Sequence, residues 1–210
     1  MYGTGQTPFD TNAARSRAQF KAYVLPFPTV QPSSHGDGLV ELDTLHELYV
    51  DELKDLYSAE NQILKAMPRM IKAATHKELK QGFTKHERQT QEHVKRLERI
   101  CKSLDEKPTG KKCVGMEGVL KEATELIKER PDKEVLDAGL IACAQHVEHY
   151  EMAGYGTVRT WARLLGYEDH EKLLQQTLDE ERDTDESLTT LAESSINIEA
   201  TEGDEDEEEE

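Results

Sequence analysis

Between Leu39 and Ala192 the chain is written almost wholly in strong helix formers, and only four short joints interrupt it. Leu, Glu, Lys, Ala and Gln dominate, and runs of β-branched residues are missing, so helix is favoured throughout. The joints are Thr75-His76, Pro108-Thr109-Gly110, Arg130-Pro131-Asp132 and Gly166-Tyr167. Pro131 suits a helix start, and Gly166 suits a helix stop. This punctuation predicts helices over about 40–74, 76–104, 116–129, 132–165 and 168–193, with ends good to a few residues. Pro68 lies inside the first and is expected to kink it or split off its last turns.

The order is two long helices, a crossover, then two long helices. Tight joints make each pair an antiparallel hairpin. The crossover is long enough to run the length of a bundle, and it carries the short helix. The prediction is an all-α fold, a ferritin-like four-helix bundle with a long crossover holding a short extra helix.

Charge divides the 210 residues into parts. Lys and Arg number 26 against 43 Asp and Glu, a net −17. Nine of those acids, and no base, lie in 199–210. Like charges without apolar surface do not fold, so 194–210 is expected to be a disordered acidic tail. Residues 1–38 hold four of the 7 prolines and read as a flexible arm lacking a signal-peptide pattern. The bundle is thus placed at 39–193. The negative balance argues against a nucleic-acid partner and against docking on anionic lipid. No apolar run is long enough for a membrane span. Three cysteines without a CxxC pair suit a reducing, cytoplasmic compartment. Cys101 and Cys143 fall on helices as packing thiols. Cys113 follows Lys111-Lys112, where positive charge favours a lowered pKa.

Turning each helix by about 100° per residue gives an apolar stripe on each, and acids or imidazoles fall inside every one. The first helix has Glu52 and Glu60 within roughly 40° of the stripe's centre. The second has His86 within about 20° and His93 about 40° off. The fourth has Glu151 almost central and Glu148 on the shoulder, while His146 and His149 point away. The last has Glu181 near the centre and Asp185 on the shoulder. Taken singly, each reads as a boundary acid or a satisfied core histidine. Together they fall at one level, counted from the joints. An interior layer of acids with one imidazole is the pattern of a dinuclear carboxylate site. Oxygen ligands with a nitrogen favour iron or manganese over structural zinc. Tyr155, one turn from Glu151, stands where it would support a ligand. Gly154 and Gly156 read as points of close helix packing.

The segments Asp55-Leu56-Tyr57-Ser58-Ala59-Glu60, Lys112-Cys113-Val114-Gly115-Met116-Glu117-Gly118, Val147-Glu148-His149-Tyr150-Glu151, Gly154-Tyr155-Gly156-Thr157 and Thr177-Leu178-Asp179-Glu180-Glu181 carry a further signal. In this order, over about 42–192, the chain resembles the YciE/YciF family of bacterial ferritin-like, stress-associated proteins. The resemblance implies a ferritin-like bundle, a homodimer and a di-metal centre. Carried over residue by residue, its ligand scheme implies metal ligands Glu60, His86, Glu148, Glu151, Glu181 and Asp185. The usual scheme wants Glu-x-x-His on two helices. Here the fourth helix offers Glu-x-x-Glu, the last Glu-x-x-x-Asp, and the second His86 with Gln89, where relatives often carry Glu.

A di-iron (or manganese) centre of this kind would meet a small oxidant such as peroxide or O₂, or would oxidise iron, in stress protection. The alternative is a non-enzymatic helical-bundle stress protein acting through protein partners. Storage of iron in a hollow shell is not expected, because no separate helix is foreseen after Ala192.

Overall fold

A computed structural model describes residues 42–202. Its helices are α1 (Leu45–Ala73), α2 (Lys77–Ser103), α3 (Val114–Glu129), α4 (Lys133–Leu164) and α5 (Glu168–Leu191). A π-turn, Ala192–Ile196, then leads into α6 (Asn197–Glu202). The arm expected over 1–38 and the final acids 203–210 lie outside the described residues. No strand occurs among the described residues.

Local chemistry sets the helix ends. Thr44 caps α1 by accepting from the Glu47 amide at 3.1 Å, and Glu47 accepts from the Thr44 amide at 2.8 Å. This reciprocal box satisfies two amides that have no partner within the helix. Gly166 stops α4 with a φ of 79°, a conformation that side chains resist. The Tyr167 amide then turns back to the Ala162 carbonyl at 2.8 Å.

Helix α1 packs on α2 and α4, and α5 packs on α4 and α2. The four long helices therefore form a ring of neighbours, with α1 opposite α5 and α2 opposite α4. Helix α3 lies against α1 and α4, as a crossover along the bundle's length should. Together these form the ferritin-like bundle. The α1–α2 joint is fixed by a residue that its own helix pattern does not advertise. Asp137 of α4 is 3% exposed, and it accepts from the Thr75 amide, the Thr75 hydroxyl and the His76 amide at 2.6–2.7 Å.

Three expectations are corrected in whole or in part. Helix α1 runs as one helix through Pro68 to Ala73, so the proline does not split off its last turns. Pro68 is exposed, so water can take the Leu64 carbonyl that proline leaves without its amide partner. Residues 194–202 are helical and not an irregular tail. Ala192 and Ile196, four residues apart, extend the apolar stripe past Leu188, and Ile196 is only 1% exposed. The π-turn and α6 pack on α4. Cys113 is not an activated thiol. It is fully buried as the cap of α3, and burial, then Asp55, raises its pKa, while Lys111 and Lys112 pair with Asp51 and Glu117 instead. Cys101 and Cys143 are buried, as expected. Of the two glycines on α4, Gly154 does mark close packing, since a Cβ there would sit 2.7 Å from Leu56. Gly156 faces open space instead.

The apolar core is in two parts. One gathers Ile63, Met67, Leu79, Phe83, Leu140 and Val147. The other gathers Tyr49, Leu53, Leu97, Tyr155, Val158 and Leu174. Glu60, His86, His93, Glu148, Glu151 and Glu181 lie where these two clusters meet, whereas the buried Asp137 and His170 lie toward the bundle's ends. Among the described residues, no helix is long and apolar enough to cross a membrane.

Candidate metal centre

The polar layer is built from all four long helices. Glu60 comes from α1, His86 and His93 from α2, Glu148 and Glu151 from α4, and Glu181 from α5. None of these six is more than 4% exposed. Two sets of donor atoms form within it. His86, Glu148, Glu151 and Glu181 offer atoms within 4.8 Å of one another, and so do Glu60, His93 and Glu181. Glu181 belongs to both. Five of the six expected ligands are thereby brought together.

Asp185 is not in either set. It sits one turn beyond Glu181 on the stripe's shoulder, where it accepts from Gln145 at 3.1 Å and approaches His149 at 3.3 Å. His93 takes a place in its stead. Its signal was available in the sequence: it follows His86 by seven residues, two turns on the same face. His146 and His149 are largely exposed, as their angles required.

Leaving these groups inside the bundle is costly. A carboxylate taken out of water loses several kcal/mol of solvation unless paired. Burying a leucine returns only about 1.5–3 kcal/mol. The compensation within the protein is partial. Burial by itself would lower the pKa of His93, but Glu60, Glu181 and the bond to Glu180 outweigh it and hold the imidazolium charged. His93 Nδ1 lies 2.9 Å from Glu181 and 3.4 Å from Glu60. Its Nε2 lies 2.8 Å from Glu180, which Arg96 holds in turn at 2.7 and 2.9 Å. Burial opposes ionisation of Glu180, yet His93 and Arg96 together bring its pKa down to about 2.

The other half of the layer has less relief, although His86 Nε2 approaches Glu148 at 3.2 Å. Burial, then the negative neighbours, raise Glu148 and Glu151 well above the carboxylate range. Burial lowers the pKa of His86. Tyr155 donates its hydroxyl to Glu60, as its position one turn from Glu151 suggested. Even so, many donor atoms have no hydrogen bond of acceptable geometry: Glu60 Oε2, His86 Nε2, His93 Nδ1, Glu148 Oε2, both oxygens of Glu151 and both of Glu181. Buried polar atoms are ordinarily satisfied. So dense a cluster of orphans, all converging, is the arrangement a cation would complete. Four carboxylates and two imidazoles fit iron or manganese.

The family described as "Domain of unknown function (DUF892)" matches residues 44–201, nearly all of the described bundle. The chain belongs to this family. The DUF892 bundle is 41% identical over 162 residues to Protein YciF of Escherichia coli (strain K12), covering 77% of this chain and 98% of that one. The crystal structure of the E. coli stress protein YciF superposes with a TM-score of 0.72, over 74% of this chain and 99% of that one. YcfI from Rhodopseudomonas palustris is 44% identical, with a TM-score of 0.70 over 72% of this chain and 96% of that one. The resemblance read from the motifs is thus borne out.

Proposed function

We propose that this chain is a ferritin-like di-metal carboxylate protein, and that it serves the stress response, the role named for the E. coli stress protein it resembles. The reading rests on one observation: the converging, unpartnered donor atoms of Glu60, His86, His93, Glu148, Glu151 and Glu181. His86, Glu148 and Glu151 would hold one ion, Glu60 and His93 the other, and Glu181 both. A bound iron or manganese pair supplies redox electrons and open positions for peroxide or O₂. The protein's own part is to hold geometry and exclude water. Glu180 fixes the ring of His93 through its far nitrogen, the way partners outside a metal site set the tautomer of a ligating histidine. Tyr155 orients Glu60 and holds a proton beside it.

Metal content of the purified chain after iron or manganese loading tests the proposal. We expect close to two equivalents. Less than about a tenth of an equivalent, unchanged in Glu151→Ala, refutes it.

A second reading has its own support. His93, held charged between Glu60 and Glu181, is an internal cation that partly neutralises the acid layer. A non-enzymatic bundle acting through protein partners would use the layer in that form. It predicts no rise in Tm on loading, whereas tight binding to the folded state raises Tm by mass action.

A further inference from the structure

A cavity of about 650 Å³ opens between α2 and α5 and ends on the metal-centre side at His86 and Glu148. Its inner wall is largely apolar, with Ile63, Met67, Phe83, Leu120, Val147 and Leu188 buried there, while Ser187, Thr190 and Ser194 join charged residues at the outer edge. A water molecule takes about 30 Å³, so the space would hold on the order of twenty. Peroxide or O₂ needs no such room. The volume and the greasy lining are those of a small-molecule site. The two methionines add an adaptable surface for an apolar body.

On the inner wall the polar groups are few: His86, Gln89 and Glu148. His86 is 4% exposed, and Thr184 approaches its Nδ1 at 3.4 Å, while its Nε2 lies 3.2 Å from Glu148 without a hydrogen bond of acceptable geometry. Gln89 lines the same space, and its buried Oε1 has no donor. The rim carries Glu78, Asp183 and Glu186 against Lys85 alone. An anionic ligand would meet net repulsion there. A neutral one with a hydroxyl would give Gln89 the donor it lacks.

We propose that this cavity binds a neutral amphiphile, an apolar alkyl or aryl body bearing one hydroxyl, with the hydroxyl at Gln89 and His86. That the site then presents this group to the metal centre rests on the function proposed above. The binding itself does not.

Gly82 supplies a clean test. It lines the cavity, and a Cβ added there would meet nothing within 4 Å. Replacing a helical glycine also favours the helix. Calorimetric titration of the full chain, metal-free and metal-loaded, with 4-butylphenol and 4-butylbenzoate compares one apolar body with two heads. We expect the phenol to bind the metal-free chain roughly tenfold more tightly than the benzoate, and Gln89→Leu to weaken the phenol severalfold while leaving the benzoate unchanged. Gly82→Phe should weaken the phenol by about tenfold or more with Tm unchanged or raised. No binding of the phenol, equal binding of both heads, or an unaltered Gly82→Phe overturns the proposal. Metal content, measured on the same samples, reports separately on the metal centre.

Discussion

His93 Nε2 stands 2.8 Å from Glu180 Oε2, and this contact aims the opposite nitrogen of the ring at the two interior carboxylates Glu60 and Glu181. Glu180 lies next to Glu181 on α5 but reaches the layer only through the histidine. Glu180→Gln should therefore weaken metal binding by about 10–100-fold while leaving the donor set intact. Competition with a chelator of known affinity measures it. Arg96→Gln, which frees Glu180 from its second anchor, should have a smaller effect in the same direction.

The shared position of Glu181 gives a stoichiometric prediction. Glu181→Ala removes a donor from both sets and should abolish tight binding of both ions. Glu60→Ala and Glu151→Ala each strike one set, and each should leave about one equivalent bound. Elemental analysis after desalting distinguishes two, one and none.

Loading should also release protons. Burial and the negative neighbours raise Glu148 and Glu151 well above the carboxylate range, so both resist ionisation, and His93 is held charged by the carboxylates around it. An ion binds the deprotonated forms, so protons must leave as it enters. The sign follows: affinity rises with pH and falls as the solution is acidified. A pH-indicator dye in weak buffer counts the protons. Uptake in place of release would contradict the assignment of charges.

Much of this was legible in the sequence. The helix lengths followed from composition and from the Pro and Gly joints, because those residues act locally. Glu60, Glu148, Glu151 and Glu181 were found because an acid inside an apolar stripe is visible on one helix alone. Asp137 was not, because its partners are the amides of a distant joint, which no helical wheel displays. His93 and Asp185 sat at similar angles to their stripes, and only packing separates them. The side chain of His93 meets Glu180 across the α2–α5 contact, whereas Asp185 is drawn aside by Gln145.

Asp137 should matter to stability more than to chemistry. Asp137→Ala removes three hydrogen bonds from a buried carboxylate and strands the Thr75 and His76 amides. Losing partners of this kind costs about 2–4 kcal/mol. Denaturant unfolding reads it directly, and the metal content of the protein that remains folded should be unchanged.

His170 predicts an acid limb. It is 8% exposed, beside Tyr49 at 3.2 Å and Ser103 at 2.7 Å, and burial lowers its pKa. The unfolded chain takes up its proton near pH 6.5, and the folded one only at lower pH. The stabilisation is therefore complete above about pH 6.5 and is lost as pH falls through the folded value, by at most about 1.4 kcal/mol per pH unit. His170→Gln should flatten that part of the Tm profile.

The division of the donors between the two hairpins has a consequence for how the molecule opens. Glu60, His86 and His93 belong to α1–α2, and Glu148, Glu151 and Glu181 to α4–α5, so neither hairpin owns a complete set. An ion held there bridges segments that the chain itself joins only through the α3 crossover. It would act as a rivet, and separating the hairpins would require giving it up. Slow amide exchange along all four long helices would then track occupancy of the centre, making local breathing of the bundle a measure of whether it is loaded.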